Sequence, residues 1–260
     1  VFAATATSVT IGGSVTLDAS NPYYHNGDNG DVGVADSNAA NANAEFNAVT
    51  GTLTLKGLNV KSDKGGIRWA NDYGDFKDLD LTIVLADYSD NTVVNTAGSG
   101  IVGTTGGEKV GPSLTIKGNG ALNVTGSNSG IWVWKNITIA DSAAVNITAK
   151  NNGICNNMVG TTTISDNAYV KINANGDGIG SDNSGINNLK VNGGALVISS
   201  GNTAVMNNAV ATVANMDNYK ITGGDDASSA KEVTDISIAK CKYLRVEPAD
   251  GIYADRVYIY

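Results

Sequence analysis

The sequence predicts an all-β chain wound as a single-stranded right-handed parallel β-helix with an irregular N-terminal cap, and three observations predict it. The first is composition. The 260 residues hold 32 Gly, 6% aromatic and 16% charged residues, against roughly 25% charged in ordinary soluble domains. Asn, Gly, Thr, Ser and Ala take their place, which is poor helix material and suits strands joined by tight turns. The second is a repeated unit of two alternating apolar residues followed by Gly-Ile. It reads Leu58, Val60, Gly66, Ile67, then Leu122, Val124, Gly130, Ile131, then Val145, Ile147, Gly153, Ile154, then Val170, Ile172, Gly178, Ile179. The third is a second alternating ladder about eight residues ahead of the first: Leu114/Ile116, Ile137/Ile139, Thr162/Ile164, with Leu189/Val191 in the next copy. Each repeat thus carries three short alternating segments separated by turn residues, which makes one triangular coil.

Taken in order, residues 1 to 50 do not obey the repeat. They hold two alternating pieces, Val9-Thr10-Ile11 and Val15-Thr16-Leu17, and then a turn-rich stretch from Asn21 to Asn47. A stack of coils needs an atypical terminal unit to hide its open end, so 1–50 is assigned as a cap and 51–260 as the β-helix of one structural domain. A copy between the first two is read at Thr92, Val94, Gly100, Ile101, and a relaxed one at Leu196, Ile198, Ala204, Val205. The first apolar position then steps from Leu122 through Val145, Val170 and Leu196 to Tyr219 and Leu244. At the end, Tyr253, Val257, Tyr258, Ile259 and Tyr260 read as an aromatic strand closing the last coil. Period 2 turns alternate side chains inward, and stacking them provides roughly 1.5–3 kcal/mol for each fully buried aliphatic residue.

A net charge of −8 with basic residues that never cluster argues against nucleic acid as a partner. No apolar run reaches the roughly 18 residues needed to span a bilayer, so membrane insertion is not expected. Val1-Phe2-Ala3-Ala4-Thr5 resembles the small-residue end of a secretory signal, which points to an extracellular or cell-surface location. Cys155 and Cys241 lack metal-type spacing and are read as small core residues, with a disulfide between them as the alternative.

No catalytic constellation emerges. The lone histidine, His25, falls in the cap, and Arg68 and Arg245 lie many coils apart. Asp177 occupies a turn position that other copies fill with Ser129, Asn152 and Thr203, and a turn aspartate ordinarily bonds nearby backbone. Asn26-Gly27-Asp28-Asn29-Gly30-Asp31, with Asp36 beyond, alternates oxygen donors and glycines as calcium loops do. Asp28, Asp31 and Asp36 are therefore the metal candidates and calcium the one cofactor considered. A flat row of threonine pairs, as an ice- or mineral-binding face would need, is not seen, because Thr104-Thr105 and Thr161-Thr162-Thr163 are isolated.

The informative segment is Ile131-Trp132-Val133-Trp134. If Ile131 and Val133 face inward, both tryptophans stand outward. Flat indoles beside amide and carboxylate groups form a surface on which sugar rings stack, with Asn156 and Asp182 on neighbouring coils expected as the hydrogen-bonding rim. The alternative is that the irregular stretch Thr104 to Pro112 folds over them.

The segments Thr50-Gly51-Thr52-Leu53-Thr54-Leu55, Leu81-Thr82-Ile83-Val84-Leu85 and Ser113-Leu114-Thr115-Ile116-Lys117-Gly118, with the recurring Gly-Ile, resemble secreted or cell-surface repeat proteins of gut-type Gram-positive bacteria. The resemblance covers roughly residues 50 to 260 and implies a right-handed parallel β-helix related to carbohydrate-binding proteins, some of which use calcium; it brings no catalytic signature. The expectation is an extracellular, non-enzymatic surface protein that binds a polysaccharide or host glycan or serves in adhesion, with a surface protein as a further partner. The alternatives are a polysaccharide lyase or glycoside hydrolase, and a purely structural surface spacer.

Overall fold

The computed structural model describes residues 4–69, 79–103, 111–182, 185–234 and 241–250. It is nearly all strand, a parallel β-solenoid of about five turns, and no helix among the described residues is long and apolar enough to cross a membrane. Each coil contributes one strand to each of three faces. The first face stacks Thr52–Leu55, Leu79–Leu85, Leu114–Gly118 and Ile137–Ile139. The second stacks Asn59–Ser62, Asp90–Asn95, Ala121–Gly126 and Ala144–Ala149. The third stacks Ile67–Trp69, Ile101–Gly103, Ile131–Val133, Ile154–Asn156 and Ile179–Ser181. The continuous strands Val159–Ala174 and Ile186–Ser200 turn the corner between the first two faces.

The interior ladder runs in register as anticipated. Leu122 lies opposite Val145, Val145 opposite Val170, and Val170 opposite Leu196, all fully buried within one continuous apolar cluster. The second ladder pairs Leu114 with Ile137, Ile137 with Thr162 and Thr162 with Leu189.

The coil holding Asp90–Asn95 corrects the reading by one residue. Val93, not Thr92 or Val94, pairs with Val60 and Val124, and Asn91 occupies the inward place of Leu122. The cause is one extra residue in the turn, since Val93 precedes Gly100 by seven where Val124 precedes Gly130 by six; a slip of one flips every side chain to the other face. Asn91 is tolerated inside because its hydrogen-bonding capacity is spent. Its Oδ1 accepts from the N–H groups of Gly57 and Leu58, both at 2.9 Å, and its Nδ2 donates to Ser89 Oγ and Ala121 O, both at 2.9 Å.

The recurrent glycine before each third-face isoleucine has a steric origin. A Cβ on Gly130 would lie 2.2 Å from Ile147 Cγ2, one on Gly153 2.2 Å from Ile172 Cγ2, and one on Gly178 2.2 Å from Ile198 Cγ2. Each glycine makes room for the β-branched residue of the next coil. Ala204 stands at this place in the last coil, where the next chain segment on the second face is the antiparallel strand Tyr243–Pro248 instead of a parallel coil.

The corner before the third face is stapled coil to coil. Asn152 Oδ1 accepts from Asp177 N at 3.0 Å, and Asp177 Oδ1 accepts from Thr203 N at 3.2 Å and from Thr203 Oγ1 at 2.6 Å. Asp177 is thus a turn residue, bonded to the following coil instead of its own backbone. On the first face the register places Thr52, Thr82, Thr115, Thr138 and Thr163 in one outward file of single threonines, while Thr104-Thr105 lies outside the described residues.

Both ends of the stack are covered by chain reversal. Val9–Ile11 pairs antiparallel with Ile67–Trp69, and Ala44–Asn47 pairs antiparallel with Thr52–Leu55. At the other end Tyr243–Pro248 runs antiparallel to both the 196–199 segment and Tyr219–Gly224. Tyr219 and Leu244 therefore do not extend the parallel ladder: Leu244 faces Ile198, and Tyr219 faces Pro248. On the first face the stack ends on a short parallel strand, Ala211–Val213, paired with Leu189, Lys190 and Val191. The aromatic segment Tyr253 to Tyr260 lies outside the described residues.

Candidate functional site

Ile131 and Val133 are fully buried, so alternation carries Trp132 and Trp134 outward, and both are half-buried. Their rings meet edge to face, with centroids 5.6 Å apart and planes at 75°, a favoured aromatic geometry. Trp132 Nε1 donates to Asp182 Oδ2 at 2.7 Å. Asp182 belongs to the second coil beyond. Trp132 lies opposite Cys155, and Cys155 opposite Gly180; these small residues leave the indole a clear path along the face. One tryptophan is therefore locked by a charge-assisted bond and the other packed against it.

Cys155 lies in the outward file yet is fully buried. Burial pushes its thiol up, and the Asp182 carboxylate beside it pushes further in the same direction, while an Asn152 hydrogen bond opposes them. Cys155 and Cys241 are both free and buried, in keeping with core residues.

Asn156 is corrected. It follows Ile154 by two and so points inward, in register with Val133 and Ser181. It is completely enclosed, with Nδ2 donating to Ile186 O at 3.2 Å. The structure brings Trp132, Trp134 and Asp182 together at the surface and leaves Asn156 beneath it. Of the stretch expected to fold over the tryptophans, 104–110 lies outside the described residues. Gly111 does pack on Trp134, because a Cβ there would fall 1.7 Å from Trp134 Cδ1. Trp69 is different again: it is buried, with Nε1 donating to Leu79 O at 2.7 Å.

The metal candidates do not converge. Asp28 begins the 3-10 turn Asp28–Gly30, and Asp31 follows that turn with its N–H bonded to Asp28 O at 2.9 Å. Asp36 contacts His25 Nε2 at 3.3 Å and accepts from Asn38 N at 2.7 Å. Among the described residues no group of three or more His, Cys, Asp or Glu is arranged to hold a metal ion. His25 is tied further by Asn38 O at 3.0 Å.

A family model described as "Carbohydrate-binding domain-containing protein" matches residues 52–254. The chain belongs to this carbohydrate-binding domain family. The match begins at the first strand of the parallel stack and covers every coil of it, including those that carry Trp132, Trp134 and Asp182. No curated protein and no solved structure matches the chain. Within this carbohydrate-binding domain, sequence reading missed Cys155 and Gly180, the small residues in register with Trp132. Their signal was present, since each directly follows the isoleucine of its coil.

Proposed function

We propose that the chain is a non-enzymatic glycan-binding module of an extracellular or cell-surface protein, taking a polysaccharide or host glycan on the Trp132–Trp134 patch. The observation that carries this reading is the half-buried tryptophan pair held by Asp182 on the outer side of the third face, within the residues matched by the carbohydrate-binding family. An indole already fixed by a 2.7 Å bond loses little side-chain freedom when a sugar ring stacks on it. Binding is preferred over lyase or hydrolase chemistry because the family description names binding. Adhesion follows if the module is displayed on a cell, and no cofactor is assigned, so chelation of calcium leaves binding unchanged.

The test is a glycan array followed by titration calorimetry on the wild type, Trp134→Ala and Trp132→Phe/Trp134→Ala. The expected result is at least a tenfold loss of affinity in the double variant, about 1.4 kcal/mol, with an unaltered circular dichroism spectrum. Equal binding by the double variant places the site elsewhere. Release of reducing ends or unsaturated products from pectins or glucans makes the protein an enzyme instead.

A further inference from the structure

A shallow groove of about 200 Å³ runs along the corner before the third face, lined by Asp63, Lys64, Arg68, Asn95, Ser99 and Val102 among others. Two of its side chains are cations in a protein of net charge −8, and both are exposed. The ion pairs among the described residues join His25 with Asp36, Lys56 with Glu45 and Arg245 with Glu247; none uses Lys64 or Arg68. Asp63 shares the groove without pairing to either cation, which leaves one net positive charge. The polar wall opposite is already committed. Asn95 Oδ1 accepts from Ala97 N and Gly98 N, both at 3.1 Å, its Nδ2 donates to Ser99 O at 2.8 Å, and Ser99 Oγ accepts from Ser129 N at 3.2 Å. The groove is thus a trough in which the two cations and Asp63 are the charged groups left to meet a ligand.

Its position relates it to the tryptophans. Arg68 lies opposite Val102, and Val102 opposite Trp132, so the three stand in one outward file spanning roughly 10 Å at the spacing of adjacent strands. Beyond Trp132 the file continues through Cys155 and Gly180, and the Trp132 indole reaches past them to Asp182. Along the axis the order is cation, aliphatic, aromatic, carboxylate.

The geometry points to recognition of a sparsely charged acidic glycan lying along the axis, with the carboxylate of one acidic sugar held by Arg68 and Lys64 and neutral sugars over the tryptophans. This rests on the glycan-binding reading above. A guanidinium accepts a carboxylate through two parallel hydrogen bonds, which gives geometric selection as well as charge. A densely charged polyanion is disfavoured, because the net charge repels it and Asp182 stands at the aromatic end.

The test uses an array of matched oligosaccharides, each uronic- or sialic-acid member beside its carboxyl-reduced neutral form, probed with the wild type, Lys64→Gln/Arg68→Gln and Trp132→Phe/Trp134→Ala. The expected result is about a tenfold preference of the wild type for acidic members, weakening with salt and lost in the glutamine variant, whose binding to neutral members is unchanged. The inference is overturned if the wild type shows no preference or the glutamine variant keeps it. If the tryptophan variant loses both forms while the glutamine variant behaves as the wild type, the tryptophan site stands and the groove falls. If the tryptophan variant binds as the wild type while the glutamine variant loses the acidic preference, the groove stands and the tryptophan reading falls. Binding of neither form by the wild type overturns both.

Discussion

Replacing Gly153 with Ala tests why a glycine precedes each third-face isoleucine. The new Cβ would lie 2.2 Å from Ile172 Cγ2 and 2.6 Å from Gly178 O. The methyl belongs to a fully buried side chain, and the carbonyl accepts the ladder bond from Ile154 N at 2.9 Å. Neither can retreat without disturbing the next coil. Overpacking of this kind costs about 1–3 kcal/mol, and the loss of unfolded-state freedom on going from Gly to Ala returns only about 0.4–1 kcal/mol. With a backbone atom in the clash the upper end applies, a net destabilisation of about 2 kcal/mol. For a chain of this size that lowers the midpoint by about 4–8 °C. Thermal and urea unfolding measure it, with Ala204→Gly as the comparison. That change removes a Cβ where one is already accommodated, so it costs under about 1 kcal/mol. A double-mutant cycle with Ile172→Ala should show the two costs falling short of their sum, because removing Cγ2 relieves one of the two contacts. A Gly153→Ala protein as stable as the wild type refutes the steric account.

Val145→Asp puts an unpaired carboxylate between Leu122 and Val170 in a fully buried stack. The cost exceeds a marginal folding free energy, so no cooperative unfolding transition should remain by circular dichroism. Trp132→Phe keeps a ring but removes the 2.7 Å bond to Asp182; a loss of about 1 kcal/mol, discounted for partial exposure, appears as a midpoint lower by about 2–4 °C. Cys155, fully enclosed, should resist thiol reagents in the native protein at pH 8 and react only on unfolding; rapid native labelling contradicts the packing. Because burial and Asp182 hold its thiol protonated beyond the ordinary value of 9.0, the unfolded chain ionises first as pH rises. Folding stability therefore falls above about pH 9, and Cys155→Ala should flatten that decline in urea titrations.

Asp177 shows how far local reading reached. Its turn position and its structural role follow from the copies at Ser129 and Asn152, but its bond partner, Thr203, lies on the next coil and no local rule names it. Asn156 was legible and misassigned, since parity from Ile154 already turns it inward. The tryptophan pair was legible for the same reason, while the attachment of Trp132 to Asp182, fifty residues on, was not.

The sequence by itself determined the β class, the three-sided coil and the inward sets of the regularly spaced coils, because strand alternation and repeat spacing are local periodicities that survive in one dimension. It also marked the outward tryptophans. Only the tertiary structure decided where the parallel stack stops, since Tyr219 and Leu244 keep the spacing but pair antiparallel with other strands. It alone placed Asn91 inside, because one extra turn residue before Gly100 shifts the register and the shift is paid by hydrogen bonds from three neighbouring segments. The file of Arg68, Val102 and Trp132, by contrast, was already marked in the sequence, where each directly follows the isoleucine of its Gly-Ile. Residues far apart in the chain become neighbours through the pairing of whole strands, and that pairing depends on turn lengths and on the next coil's side chains, which a residue's own local sequence does not contain.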